Sequence, residues 1–106
     1  MRMTLYELEQ RIAERAFQRP ADSYTVELLD AGIEKCAKKL IEEGGELGLA
    51  ATSSNRENIV GEAADLVYHL LVLLKSCGIP LAEIEHQLGL RDAQMSAKRK
   101  ANVRGT

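Results

Sequence analysis

The sequence predicts an all-α fold: a small bundle of four to five helices, with two long antiparallel helices at its centre. Three observations carry this. Apolar residues recur at helical spacing, as in Leu5, Leu8 and Ile12. Cap and stop residues (Thr4, Ser23, Gly32, Ser54, Gly78, Pro80) sit between the apolar stretches. Aromatic residues make up only 4 %, so the core must come from Leu, Ile, Val and Ala, and no strand-like alternation runs for a useful length.

Thr4 and Glu7 read as a capping box, which opens a first helix over about Thr4–Phe17. Pro20, Asp22 and Ser23 mark a loop. A short helix over Tyr24–Ala31 follows, stopped by Gly32. A long helix then spans Ile33 to about Ala51, with Cys36, Leu40, Leu47 and Ala51 on its apolar side. Ser54 with Glu57 suggests a second capping box, opening another long helix to about Ser76. The connection between the two is short and polar, so they should lie antiparallel and in contact. Pro80 fits the start of a last helix, Leu81–Leu88, which Gly89 should end. The expected division is one domain over residues 1–90 and a basic tail over 91–106.

At 106 residues the chain suits one domain with a modest core, and a wide apolar helix face implies that it dimerises. Net charge is −2, but Arg91, Lys98, Arg99, Lys100 and Arg104 crowd the tail and leave the body acidic. An acidic body argues against nucleic-acid binding. The longest apolar run, Leu70–Leu74, is too short for a membrane span. Two cysteines, Cys36 and Cys77, and no secretory signal pattern point to a reduced, cytoplasmic setting in which both thiols behave as small core hydrophobes.

The informative residues are acids in apolar company. Glu62, Asp65 and His69 fall within roughly 60° of one another on a helix otherwise apolar nearly all round, and such a helix should be buried. On the preceding helix Glu43 points to the edge of the apolar face, with Glu46 about 60° away. Two unit charges about 5.5 Å apart repel by roughly 3 kcal/mol at an effective dielectric of 20. Four carboxylates around one space must therefore take up protons or a cation. An all-oxygen ligand set suits Mg²⁺ or Mn²⁺. The plain alternative is a set of solvated acids on exposed faces.

The run Glu42-Glu43-Gly44-Gly45-Glu46 followed by Glu62-Ala63-Ala64-Asp65 resembles the EExxE…ExxD pattern of the all-α nucleotide pyrophosphohydrolases. Leu5–Arg15, Ser23-Tyr24-Thr25, Lys38-Lys39 and Glu62–Leu74 narrow the resemblance to the phosphoribosyl-ATP pyrophosphatases of histidine biosynthesis, over about Leu5–Leu88. The resemblance implies Mg²⁺-dependent hydrolysis of phosphoribosyl-ATP to phosphoribosyl-AMP and pyrophosphate. It also implies a homodimer or larger assembly, and raises a phosphoribosyl-AMP cyclohydrolase as a possible partner. It places metal ligation on Glu43, Glu46, Glu62 and Asp65, the residues that the helical angles select. The chain departs from the pattern at Ile41 and Gly44, where the family usually has Gly and Ala. Gly44, Gly45 and Gly48 together suggest either a loose metal-bearing turn or close approach of another backbone.

Around the acids, Glu42 is the candidate for orienting or deprotonating the attacking water, against a bland pairing with Lys38. Lys39, and one turn earlier Lys35, are candidates to meet phosphate, against an ordinary Lys39–Glu43 pair. Ser23, Tyr24 and Thr25 are placed at ribose or phosphate only through the resemblance, and Ser23 alone reads as a helix cap. His69 continues the acidic stripe and invites a catalytic reading, but reads better as a second-layer or core histidine bonded to Asp65, and Tyr68 reads as packing or interface. Three rivals stand beside this reading: a housecleaning enzyme acting on other nucleoside triphosphates, a non-enzymatic dimerisation module, and a ferritin-like diiron bundle. The last needs two Glu-x-x-His motifs, and only Glu83 and His86 qualify.

Overall fold

The computed structural model describes residues 1–104, and their side chains to Lys100; the end of the expected tail, Gly105 and Thr106, lies outside the described residues. Among the described residues there are five helices, α1 (Leu5–Gln18), α2 (Tyr24–Ala31), α3 (Ile33–Thr52), α4 (Arg56–Ser76) and α5 (Leu81–Arg104), and no strand. Among the described residues no single helix is long and apolar enough to cross a membrane.

Each boundary has a local cause. The Thr4 side chain accepts from the Glu7 backbone N–H and opens α1. Arg19 closes it in a left-handed conformation, and its guanidinium pairs with Asp30 at 2.6 Å, tying the end of α1 to α2. Ser23 caps α2 by accepting from the Val26 N–H, and Gly32 at φ 95 separates α2 from α3. The α3–α4 turn corrects one expectation. Ser54 adopts φ 62, whereas an N-cap residue needs extended backbone. Asn55 is extended and caps α4 instead, accepting from the Asn58 N–H at 3.1 Å.

The end of the chain corrects a second. Helix α5 does not stop at Gly89 but runs on to Arg104. A single helical glycine costs up to about 1 kcal/mol relative to Ala, and the Leu, Arg, Gln, Met and Lys residues beyond it are good helix formers. The first turn of α5 is anchored, with the Leu81 N–H donating to the Glu9 carboxylate at 2.6 Å. Leu81 enters the core and Ile84 packs against it, whereas every other α5 side chain up to Lys100 is exposed.

The core joins Ile12, Leu28, Cys36, Leu71, Val72 and Leu81 from all five helices. Helices α3 and α4 make the most extensive contact. Ala50 rather than Ala51 turns inward on α3. Cys36 is buried and its thiol donates to the Leu28 carbonyl, but Cys77 is exposed where α4 ends, so only one thiol is a core group. Helix α4 is less covered than its composition suggests. Only His69, Leu71 and Val72 are buried, while Val60, Ala64 and Leu70 are exposed.

Candidate metal centre and nucleotide cleft

In an antiparallel hairpin, residues equally far from the turn meet. Glu43 precedes Ser54 by as many residues as Asp65 follows it, and Glu62 lies one helical turn away on the same face. The structure brings these three together: one carboxylate oxygen from each lies within 4.8 Å of the others, a group able to hold a metal ion. Glu43 is buried at 9 % exposure, Glu62 is half-buried and Asp65 is exposed. Glu46 lies outside the trio and faces solvent, yet its carboxylate bears on that of Glu62.

Two observations separate this group from ordinary surface acids. Glu43 Oε2 and Glu62 Oε2 are buried and have no hydrogen-bond partner among the described residues. A buried charged oxygen left unpaired is costly. Burial also pushes the Glu62 carboxyl above its ordinary value, and the carboxylates of Glu46, Asp65 and Glu43 push the same way. A hard cation would satisfy the orphaned oxygens and reverse the electrostatic strain, so the residues present fit one.

The surrounding candidates separate into two groups. Lys39 Nζ meets Glu42 Oε2 at 3.2 Å, an i, i+3 pair, so Glu42 engages neither Lys38 nor an element across the site. That pair also means that Lys39 is not bound to Glu43 as an ordinary i, i+4 bridge would have it. Lys39 and Lys35 line a cleft of about 190 Å³ with Tyr24, Glu27, Leu28 and Ala31. On the other side of Tyr24, a groove of about 360 Å³ includes Ser23, Thr25, Tyr68 and Arg15. Tyr24 thus stands between two clefts, close enough to Lys39 and Glu43 for both charges to act on it.

The glycines do not admit another backbone from within the chain. A Cβ at Gly44 would meet Leu66 Cδ1 at 3.8 Å, an ordinary contact, and at Gly45 and Gly48 it would meet open space.

A link between α2 and α4 was invisible in the sequence. The Tyr24 hydroxyl bonds His69 Nε2 at 3.0 Å, and His69 Nδ1 bonds the Asp65 backbone carbonyl at 2.7 Å. His69 therefore reaches Asp65 through its main chain, not its carboxylate. Beside it the Thr25 and Tyr68 hydroxyls bond each other, and the Tyr24 and Tyr68 rings stack with centroids 6.3 Å apart. A tyrosine and threonine at a helix start carry no signal that they will bond a tyrosine and histidine forty-odd residues later.

Comparisons with known proteins place the chain among relatives of one kind. Residues 5–92 match the family model described as phosphoribosyl-ATP pyrophosphohydrolase. The chain is 44 % identical over 99 residues to the phosphoribosyl-ATP pyrophosphatase of Sinorhizobium medicae, covering 93 % of this chain and 92 % of the relative. It is 45 % identical over 101 residues to phosphoribosyl-ATP pyrophosphatase 1 of Bradyrhizobium diazoefficiens, covering 95 % of each. With the Azorhizobium caulinodans phosphoribosyl-ATP pyrophosphatase it shares 46 % identity over 101 residues, 95 % of this chain and 93 % of the relative.

Proposed function

The chain belongs to the phosphoribosyl-ATP pyrophosphohydrolase family, and from that premise we propose that it hydrolyses phosphoribosyl-ATP to phosphoribosyl-AMP and pyrophosphate. The observation that carries the reading is the trio Glu43, Glu62 and Asp65, two of whose oxygens are buried without partners. We assign Mg²⁺ to this site, with Mn²⁺ as a substitute, and Glu46 as a fourth ligand beside Glu62. Bound there, the ion would supply Lewis-acid polarisation of the phosphate chain and charge neutralisation.

The chain's own residues supply the rest. The four carboxylates would hold the ion between α3 and α4. Lys39 and Lys35 offer point charges to phosphate oxygens from the cleft beside the acids. Glu42 is exposed and held by Lys39 rather than by the acid trio, which leaves its second oxygen free to take a proton from water. Tyr24, which is half-exposed, is the α2 residue that meets the nucleotide; the Ser23 hydroxyl is committed to capping α2, and Thr25 is buried with its hydroxyl on Tyr68, so both serve to position Tyr24.

The functional unit is proposed to be a homodimer or larger homo-oligomer, because Ile41 and Leu49 on α3 are 75 % and 74 % exposed and α4 leaves Val60 and Leu70 uncovered. We place it in the cytoplasm, which suits two unpaired cysteines. A phosphoribosyl-AMP cyclohydrolase, acting on the product, is the partner that this activity implies.

A nucleotide panel with Mg²⁺ and a pyrophosphate readout tests the reading. Phosphoribosyl-ATP should be the preferred substrate, and Asp65→Asn should abolish its turnover. Preference for a plain dNTP would replace the proposal with a housecleaning activity.

A further inference from the structure

Three buried polar or charged side chains stand out among the described residues: Thr25, Glu43 and His69. Glu43 belongs to the acid trio, and Thr25 bonds Tyr68. His69 has both ring nitrogens engaged, and the partners dictate the direction of each bond. A backbone carbonyl can only accept, so the nitrogen facing Asp65 must carry a proton: Nδ1–H donates to the Asp65 oxygen. In the neutral ring Nε2 is then the bare nitrogen and accepts, so the Tyr24 hydroxyl donates to it. The Tyr24 proton is thereby committed inward, and what its oxygen can offer the solvent side is lone pairs.

This has a chemical consequence, because Tyr24 stands at the nucleotide cleft near Lys39 and Glu43 and is 45 % exposed. A hydroxyl that has given its proton away cannot bond a phosphate oxygen, which is also an acceptor. It can receive a bond from a sugar hydroxyl. We propose that His69 is a positioning residue that fixes Tyr24 as a hydrogen-bond acceptor, and that Tyr24 thereby selects a ribose hydroxyl of the substrate. The inference rests on the nucleotide-hydrolase reading above and names the part of the nucleotide that meets α2. The edge-on packing of His69 against both Tyr24 and Tyr68 holds the ring in the required plane. Because the second bond runs to the Asp65 backbone, the same ring ties the α2 wall to the helical turn that bears a metal ligand.

The test has a spectroscopic arm and a kinetic arm. In wild-type protein at pH 9, the ring ¹⁵N shifts of His69 should report the Nδ1–H tautomer, the minor form of a free imidazole. An Nε2–H tautomer would overturn the proposal whatever the enzyme does. For kinetics, His69→Asn retains a donor near Nδ1 and loses the bond to Tyr24, whereas Tyr24→Phe removes the acceptor itself. Each should raise KM for phosphoribosyl-ATP by roughly tenfold, the worth of one hydrogen bond, with kcat little changed. The double variant should be no worse than either single one. An analogue lacking the ribose 2′-hydroxyls should bind wild type more weakly but bind Tyr24→Phe as well as the natural substrate does. Additive losses, or undiminished discrimination against the deoxy analogue in Tyr24→Phe, would contradict the proposal. If His69→Asn proves unfolded, the tautomer and the Tyr24→Phe comparison still decide. Failure of wild type to hydrolyse phosphoribosyl-ATP would instead sink the parent reading and leave the tautomer result standing.

Discussion

Glu62 carries the sharpest residue-level consequence. Its carboxyl holds a proton to higher pH than in the unfolded chain, because burial and three neighbouring carboxylates oppose its ionisation. Between its ordinary value of 4.5 and the raised folded value, the native state therefore binds more protons than the unfolded state. Stability of the metal-free protein must fall as pH rises through that window, and level off above it. Urea denaturation in EDTA across pH 4–8 should show this decline, and Glu62→Gln should flatten it. Glu42 makes the opposite case. Its pair with Lys39 is solvent-screened and contributes little to stability. Glu42→Gln should thus leave the denaturation midpoint almost unmoved while lowering kcat by about 10²-fold or more, the range for a lost general base. Equal activity in that variant would return Glu42 to the role of a surface ion pair. The acids were legible in the sequence because carboxylates on an apolar helix are conspicuous. Which of them cluster was not: Glu43, Glu62 and Asp65 each bring an oxygen within 4.8 Å of the others, whereas Glu46 lies outside that group and bears on Glu62.

At the scale of elements, helix existence and type were readable from spacing, and α2 kept its expected bounds of Tyr24–Ala31. The errors fell at single residues where backbone conformation competes with side-chain chemistry. Ser54 has the right hydroxyl for a cap but the wrong φ, and Asn55 took the role. Gly89 looked like a stop because glycine ends many helices, yet nothing after it required the chain to turn. The glycines of α3 make a testable point. A methyl at Gly44 would find room beside Leu66 without displacing anything. Gly44→Ala should therefore raise unfolding free energy by up to about 1 kcal/mol, the entropic penalty that glycine carries in a helix. A drop in stability would mean that α3 needs that turn to be loose. Beyond Ile84 the exposed side chains of α5 contribute little packing, so truncation after Asp92 should change unfolding free energy by less than about 0.5 kcal/mol.

The whole molecule is a hairpin of two long helices braced by three others, measuring 62 × 34 × 32 Å. Its core is small, and Ile41 and Leu49 of α3 and Val60 and Leu70 of α4 are apolar side chains that a lone chain leaves in water. Composition had suggested that α4 is buried all round, and a single chain cannot accomplish that. The discrepancy is itself the argument for a second copy. Light scattering should give a mass of two chains or more, and Ile41→Glu with Leu49→Glu should shift it towards 11.7 kDa. A wild-type mass of one chain would show that the exposed face has another purpose.

The proposed hydrolysis requires a divalent ion held between α3 and α4 by carboxylates that are unfavourable together without one. Calorimetric titration of metal-free wild type with Mn²⁺, repeated on Glu62→Gln, measures this without recourse to substrate or turnover. Saturable binding by wild type and its loss in the variant is the expected outcome. Absence of binding to wild type, or identical isotherms for the two proteins, would contradict it.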